Sequence, residues 1–555
     1  MHSRLIPQSL VQTGWLEDAV HLSLPALPEG AIAPALHVAV ANGGGAWRAG
    51  WIRALRDYPH RCWEQILSRG LGAALALADE AGREAWPEAE AVVDEAFVAA
   101  AGFQDYDGGY HFFPPQGYSE TTPSPVLNAW TLRAYGLMAR LGIAVPARLH
   151  GPVRESVAAW VDDLGLGEAD ADADDLRRHR EALAVAAAAF VADGAALDDG
   201  ILAALSSQWP ELSWHARSEL ARAFAGTPGR DVDAATAIAR LRDAGVPRGD
   251  RRVVGDARES GWAMGSSLRD QCAIVATLWE LDTDPAHRGR RRELLRGLQD
   301  LYAGATEALD TQASVHCLLA LRAVRAHPDA AAGDRSVVDA VLGTERARLV
   351  AAGDAGRVDW RVPMTAPDGA AAPTARVLDL SPQDGADPTL HYVAELGYAI
   401  DGRDAAPTAI GMQLERAYSV LRDGRWLPAG PASVRAGDWV RVTLRLRVPA
   451  MRHFVAITDV VPGGWRTRDL ALEGVGGARL RAVGDGGSWW FDTRRTGADD
   501  VRFYAERLPP GLHEVHYFAQ AVQPGEYHAP PAVAELMYGR SSRATTAADT
   551  VRIGE

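Results

Sequence analysis

Hydrophobic and polar residues alternate most regularly between residues 440 and 448. Five apolar side chains, from Val440 to Val448, alternate there with arginines and one threonine. A period of two places the apolar side chains on one face of a strand and the charged ones on the other. The segment predicts an antiparallel strand of a β sandwich with one wet face. Weaker patterns of the same kind predict strands at 454–461, 489–491, 501–506 and 515–522.

The first 48 residues show the same alternation in shorter runs, for example at Leu36, Val38 and Val40, and prolines interrupt it. Between 49 and 350, apolar residues instead recur every three or four positions, as at Leu220, Ala223 and Phe224. Glycine or proline breaks separate these segments. Repeated helix–turn–helix units of this kind predict a helical array or an α/α toroid.

The chain is therefore predicted to be a multidomain α + β protein. Its 555 residues suffice for three or four domains of about 150 residues each. Segment 1–48 is too short to bury a core alone, so we expect it to pair with a second β segment, 351–403. The α/α toroid, 49–350, would then be an insertion into one β domain, and a β sandwich at 404–555 would follow.

Composition excludes several classes of function. The 57 basic and 72 acidic residues give a net charge of −15, which argues against nucleic acid as a partner. No apolar run predicts a transmembrane segment, and no signal peptide is recognisable. The sequence contains no lysine. It therefore has neither the lysine of a Walker A motif nor one that could form a Schiff base.

The three cysteines do not suggest a disulfide framework or a zinc site. Cys272 and Cys317 stand in apolar helical segments and are interpreted as small buried hydrophobes. Cys62 lies in a polar and aromatic stretch, just after Pro59. Pro59 predicts a helix start, and a helix N-terminus favours the thiolate form of a nearby cysteine.

Cys62 and Gln65 are three residues apart, so on a helix they share one face. Attack of the thiolate on the Gln65 carboxamide, with loss of ammonia, would form an internal thioester. Such an acyl group must be kept dry, because water would hydrolyse it.

The segment Tyr58-Pro59-x-x-Cys62-x-Glu64-Gln65 resembles the thioester region of the α-2-macroglobulin and complement superfamily, and the bacterial α-2-macroglobulins are most similar in overall pattern. The resemblance covers nearly the whole chain. It is also carried by Gly108-Gly109-Tyr110, by 130–135, by Thr311-Gln312-Ala313, and by the tail segments 507–511, 524–527 and 530–538.

The resemblance implies a CUB-like β domain that holds a thioester toroid, followed by a macroglobulin-like sandwich. It implies a broad-spectrum endopeptidase inhibitor rather than an enzyme, with no metal or organic cofactor. A lysine amine of the target protease would attack the acyl group of Gln65, and Cys62 would leave as the thiolate. Glu64 belongs to the same motif, and Tyr58 and Met537 match the residues that shield the thioester.

The resemblance also implies a location in the cell envelope, in the periplasm or outside the cell. Full-length relatives carry many macroglobulin domains and a bait region before the thioester block. Three interpretations follow: a C-terminal fragment, a truncated gene model, or a protein whose upstream macroglobulin domains lie on another polypeptide.

The motif departs from the family pattern at His60 and Arg61, where an aromatic residue and a glycine are usual. If the glycine position requires a positive φ, Arg61 would be strained there. Alternatively, its charge would favour the Cys62 thiolate. No histidine matches the general base of some complement relatives. His60 and His111 are candidates only through their proximity in the sequence.

Three alternatives stay open. The chain could be a non-catalytic interaction module with a free Cys62 thiol, whose working surface is the sandwich around 440–448. Asp172, Asp174 and Asp175 match the acid motif of toroid cyclases, although such a short match is weak. A cysteine protease that uses Cys62 and His60 is less favoured, because the two residues are too close in sequence for the usual geometry.

Overall fold

The computed structural model describes most of the chain. The described residues are 5–42, 45–114, 123–164, 173–195, 198–255, 261–304, 309–328, 335–352, 357–364, 376–383, 390–402, 406–468, 489–491, 493–538 and 542–555. None of the helices in these ranges is both long and apolar enough to cross a membrane.

The described helices all lie between residues 45 and 326, after the first three strands. The α-helices in the described residues are α1 Gly45–Arg56, α2 Trp63–Leu77, α3 Glu80–Ala85, α4 Ala89–Ala99, α5 Pro125–Arg140, α6 Ala147–Leu164, α7 Ala173–Ala192, α8 Asp199–Ser207, α9 Trp214–Gly226, α10 Asp231–Arg242, α11 Ser267–Leu281, α12 Arg288–Gly304 and α13 Thr311–Ala326. Short 3₁₀ turns cover Ala100–Gly102, Trp209–Glu211, Gly261–Ala263 and Pro285–His287.

The strands form two β domains and one small hairpin within the helical region. They are β1 Leu5–Trp15, β2 Val20–Leu24, β3 Ile32–Ala41, β4 Val246–Arg248, β5 Arg251–Val253, β6 Arg335–Leu342, β7 Glu345–Ala352, β8 Arg357–Pro363, β9 Arg376–Pro382, β10 His391–Asp401, β11 Ala409–Ile410, β12 Gln413–Arg422, β13 Arg425–Ala429, β14 Val434–Arg435, β15 Trp439–Val448, β16 Arg452–Val460, β17 Trp465–Arg468, β18 Thr493–Thr496, β19 Asp500–Leu508, β20 Gly511–Ala521, β21 Gly525–Ala529, β22 Val533–Leu536, β23 Arg543–Thr545 and β24 Asp549–Gly554.

The first β domain joins strands from both sides of the helical region. Its two sheets have the orders β1-β10-β3-β8 and β2-β9-β6-β7. β1 and β10 are antiparallel and pair along their whole length, from Leu5 opposite Asp401 to Trp15 opposite His391. The alternating residues of β3, such as Leu36 and Val38, are buried in the core between the sheets. The prediction that the helices are inserted into a β domain is therefore confirmed.

The helical region ends earlier than the predicted limit of residue 350. The last helix stops at Ala326, and β6 and β7, within 335–352, are strands of the first β domain. Buried and exposed residues alternate along β6, as in other strands with one face on a core. The two strands form a hairpin whose turn contains Gly343 with a φ of 62°. The sequence interpretation had assigned this hairpin to the helices.

Six helices close into a ring, which makes the helical region an α/α toroid as predicted. Each of α2, α5, α7, α9, α11 and α13 packs against the next, and α13 packs against α2. Outer helices pack on this ring, among them α4 on α2, α6 on α5, and α10 on α9. Buried tryptophans such as Trp47, Trp51 and Trp63 fill the core.

A disulfide joins two neighbouring helices of the ring, which the sequence interpretation did not foresee. Cys272 on α11 and Cys317 on α13 are bonded, with their Cα atoms 4.8 Å apart. Both are buried in helices as expected, but they are not free thiols. The pairing was missed because the two residues are 45 positions apart in sequence and only the ring brings them together.

The C-terminal domain is a β sandwich, as predicted. Its main sheets have the orders β11-β23-β22-β16-β19-β18 and β13-β12-β15-β20-β17, and β14-β24-β21 form a third. The strand predicted at 440–448 is β15, and its apolar face, including Leu444 and Leu446, is buried. Strands β16, β19 and β20 confirm three further predictions. The strand predicted at 489–491 is wrong, because these residues form a turn.

Candidate functional site

The candidate site begins where an extended segment enters α2. Cys62 is the N-cap residue of this helix, with extended backbone angles of φ −73° and ψ 169°. The backbone N–H of Trp63 donates to the carbonyl oxygen of Phe112 at 2.8 Å, which ties the helix start to the loop after α4. Pro59 therefore precedes a helix start, as the sequence predicts.

Cys62 and Gln65 lie side by side in the first turn of α2. The Oε1 atom of Gln65 accepts a hydrogen bond from the Cys62 backbone N–H at 2.9 Å. In return, the backbone N–H of Gln65 faces the Cys62 sulfur, so the two residues form a reciprocal capping box. Both are buried, with exposed fractions of 1% for Cys62 and 0% for Gln65. The arrangement brings a thiol and a carboxamide together out of contact with water.

The cover over this pair comes from the sandwich domain. Met537 follows β22, and its Sδ atom lies 3.3 Å from the Nε2 atom of Gln65. The Tyr58 hydroxyl donates to the carbonyl oxygen of Met537 at 2.9 Å. Tyr538 is also buried, and its hydroxyl lies 3.7 Å from the Cys62 sulfur. Cys62 and Gln65 therefore lie at the boundary between the toroid and the sandwich.

Aromatic rings extend the cover along the same boundary. Phe112 packs against Phe454 with ring centroids 4.7 Å apart, and Phe113 stacks on Tyr504 at 5.0 Å. These contacts join the loop after α4 to strands β16 and β19 of the sandwich. They add aromatic packing to the boundary between the toroid and the sandwich.

Glu64 is a buried carboxyl group that links three parts of the chain. It accepts hydrogen bonds from Ser68 on its own helix at 2.5 Å, and from Thr311 and Gln312 on α13 at 2.8 Å each. The Tyr538 hydroxyl also donates to it, from the sandwich. Burial raises the pKa of Glu64, and these donors lower it in part.

Sequence reasoning missed this set of donors. Thr311 and Gln312 were noted only as part of a resemblance, and neither Ser68 nor Tyr538 was given a role. A signal was present, because Glu64 lies beside a group that must be kept dry, and a carboxyl group without water requires hydrogen-bond donors. The sequence could not say which donors, since Thr311 lies 247 positions from Glu64.

The electrostatics of Cys62 differ from the sequence expectation. Burial, and then the nearby Glu64, raise the pKa of the Cys62 thiol well above its usual range. Arg61 does not favour a thiolate, because its guanidinium forms an ion pair with Glu95 instead. Arg61 is also unstrained, since it is not among the residues with a positive φ. Burial of the sulfur therefore affects the pKa of Cys62 more strongly than the helix N-terminus does.

The segment Gly108–Tyr110 packs against the first turn of α2, beside the site. The Tyr110 ring stacks on Trp63 with centroids 4.6 Å apart, and its hydroxyl lies 3.1 Å from that of Tyr135. Gly108 has a φ of 84°, and a Cβ atom there would lie 2.5 Å from the carbonyl oxygen of Pro152. Only glycine fits this position without a shift of the backbone.

The two candidate histidines have different surroundings. His60 is buried next to the site, with its ring near those of Tyr58 and Tyr504, and its Nε2 atom lies 3.1 Å from the Glu535 carboxylate. His111 lies 3.3 Å from Asp105 in the loop after α4. The His60 ring contacts that of Tyr58, with centroids 5.7 Å apart.

The structure does not describe the acid motif considered for a cyclase. Asp172 lies outside the described residues, as do the side chains of Asp174 and Asp175. In the part of the chain that is described, no group of three or more His, Cys, Asp or Glu side chains could hold a metal ion.

Comparisons with known proteins agree with the resemblance seen in the sequence. Residues 411–539 match the family model described as "Bacterial Alpha-2-macroglobulin MG10 domain". An α-2-macroglobulin homolog of Nostoc sp. is 27% identical over 176 residues, which are 30% of this chain and 9% of that protein.

Solved structures show the same fold over 99% of the chain. Salmonella α-2-macroglobulin reacted with methylamine has a TM-score of 0.77 at 20% identity, and the match covers 34% of that protein. Native E. coli α-2-macroglobulin from domain MG7 to the C-terminus has a TM-score of 0.75 at 19% identity, with 82% of it covered. The chain thus spans about a third of the Salmonella protein. The chain is thus similar to bacterial α-2-macroglobulins: residues 411–539 match one of their domains, and the fold is that of the E. coli structure that runs from domain MG7 to the C-terminus.

Proposed function

We propose that this chain is the thioester-bearing part of a protease inhibitor. In the proposed site, the Cys62 sulfur is bonded to the acyl carbon of Gln65, whose amide nitrogen has been lost as ammonia. The observation that carries the proposal is the buried, reciprocal contact of Cys62 and Gln65 beneath Met537. A thiol and a carboxamide held together without water are the reactants that ring closure needs.

Trapping would follow from opening of the boundary between toroid and sandwich. The amine of a protease lysine attacks the acyl carbon of residue 65, an amide bond forms, and the carbon–sulfur bond breaks. The proton lost by the amine balances the proton gained by the Cys62 sulfur. The Tyr538 hydroxyl, which donates to Glu64, lies 3.7 Å from that sulfur and would relay this proton from the Glu64 carboxyl group. The protein would be consumed by this reaction, so it would act as an inhibitor rather than an enzyme.

The proposed location is an oxidising compartment, either the periplasm or the exterior of the cell. The disulfide between Cys272 and Cys317 supports it, because disulfides persist in such compartments and are rare in the reducing cytosol. The proposed partners are proteases with accessible lysines. Upstream macroglobulin domains, on the same or another polypeptide, would supply the bait.

Intact mass of the native chain tests the thioester. We expect a mass about 17 Da below that of the sequence with its disulfide, because one ammonia is lost, and a gain of about 31 Da with methylamine. Amine treatment should also release one thiol at Cys62. Cys62→Ala should show neither change. An undiminished mass with a free Cys62 thiol would reject the thioester and favour the interaction module instead.

A second experiment tests the preference for lysine. The chain is incubated with an N-acetylated peptide that contains a single lysine, and with the same peptide carrying arginine in its place. We expect a covalent conjugate at Gln65 with the lysine peptide alone, because the arginine guanidinium stays protonated and is a poor nucleophile. Equal labelling by both peptides, or labelling of Cys62→Ala, would contradict covalent capture through lysine.

A further inference from the structure

A second candidate site lies inside the ring of the toroid, on the later turns of α13. It is a cavity of about 550 Å³ lined by residues of α5, α9, α11 and α13. This volume is in the range of pockets that hold small organic ligands. None of its lining residues belongs to the Cys62 site, so the proposed trapping chemistry gives it no role.

The floor of the cavity carries N–H donors that lack acceptors. Trp130, Arg133 and Trp279 line the cavity and are each at least nine-tenths buried. The indole Nε1 atoms of both tryptophans and the Nη1 atom of Arg133 have no hydrogen-bond partner among the described residues. Buried donors are usually satisfied in folded proteins, so a ligand or water that enters the cavity is a candidate acceptor for these three.

The charge of the cavity is positive, although the whole chain is acidic. Arg133, Arg140, Arg222 and Arg322 line it. The lining carboxylates are two, Glu219 and Glu280, and they pair with the first three of these arginines. Arg322 forms no ion pair within the described part of the chain and is exposed at the rim. A cationic cavity in a protein with a net charge of −15 favours an anionic ligand.

We propose that this cavity binds a small organic oxyanion with a planar apolar part. The planar part would pack against the faces of Trp130 and Trp279, and the oxyanion would accept from the buried donors and from Arg322. Carboxylates and phosphates both have this chemistry, because arginine binds either of them with charge-assisted hydrogen bonds.

Calorimetric titration of the full chain tests the proposal, with 2-naphthoate and 2-naphthyl phosphate as probes. We expect one of the two to bind with a stoichiometry of one and to raise the melting temperature. The stronger probe identifies the type of oxyanion. Neutral 2-naphthamide should bind about tenfold more weakly or worse, since it loses the charge-assisted hydrogen bonds.

Variants locate the binding. Arg322→Gln, at the exposed rim, should weaken binding about tenfold, while Arg346→Gln, an equal change of charge on β7, should leave it unchanged. Trp279→Phe removes one unpaired donor and should weaken binding; because the smaller ring also loses packing, its melting temperature without ligand is measured beside that of the wild type. No binding of either anion at millimolar concentration, or equal affinities for the wild type and Arg322→Gln, would overturn the proposal.

Discussion

The hydroxyl of Tyr58 forms a hydrogen bond between the two domains that are proposed to shield the thioester. It donates to the carbonyl oxygen of Met537 at 2.9 Å, so it joins the toroid to the sandwich. Tyr58→Phe removes this hydrogen bond and keeps the ring in place. A hydrogen bond of this kind contributes about 0.5–1.5 kcal/mol to the closed state. Its loss should raise the population of the open state by about 2- to 12-fold.

The rate of methylamine incorporation measures that population. When opening is fast and rare, the observed rate is proportional to the fraction of open molecules. We therefore expect Tyr58→Phe to react about 2- to 12-fold faster than the wild type, as followed by intact mass over time. Hydrolysis in the absence of amine should accelerate by the same factor, because water and amine enter by the same opening.

Tyr527→Phe is the matched control. The Tyr527 hydroxyl also donates to a backbone carbonyl, that of Pro524 at 3.3 Å, but both residues belong to the sandwich. This variant should react at the wild-type rate. If Tyr58→Phe formed the thioester yet reacted no faster, or if Tyr527→Phe accelerated the reaction equally, the shielding argument would be refuted.

Three further outcomes are expected. Replacing Cys272 and Cys317 together by serine should lower the free energy of unfolding by about 2–4 kcal/mol, measured with denaturant, since a loop of 45 residues is no longer closed in the unfolded chain. Arg61→Gly should leave the mass deficit of the thioester unchanged, because Arg61 has no positive φ; a larger yield of thioester would show that Arg61 hinders closure. Burial raises the pKa of Glu181 from 4.5 to about 7, despite its hydrogen bonds from Ser213. Between these two pH values the native state keeps a proton that the unfolded state loses. The wild type therefore loses stability as pH rises from 4.5 to about 7. The melting temperature of Glu181→Gln relative to wild type should therefore improve between pH 5 and pH 8, by the equivalent of up to about 3 kcal/mol, and a difference independent of pH would contradict the assignment.

The elements with a strict period were predictable from the sequence. The alternation from Val440 to Val448 predicts β15 because one face of that strand is buried and the other is wet. The hairpin of β6 and β7 was missed although buried and exposed residues alternate along β6, because the hairpin directly follows a long helical segment. Local pattern alone does not reveal that β6 pairs with β9, which in turn pairs with β2, a strand that precedes the toroid.

The chemistry of the site was predictable only in part. Cys62, Gln65 and their spacing are visible in the sequence, and the helix start follows from Pro59. The pKa of Cys62 was not predictable, because its direction depends on how completely distant residues exclude water from the sulfur. The cover comes from Met537 and Tyr538, more than 470 positions away in sequence. Proximity of that kind depends on how two domains pack.

Glu64 shows why the site and the domain boundary act together. A buried carboxyl group is tolerated when donors surround it, and loss of one donor costs about 1–3 kcal/mol. Three of its donors lie in the toroid and one, Tyr538, lies in the sandwich. Separation of the domains would therefore remove a donor from Glu64 in the same step that uncovers Cys62 and Gln65. Only the closed state gives Glu64 all of its hydrogen bonds. Glu64, which adjoins Cys62 and Gln65, therefore favours the closed state in which these two residues are shielded from water.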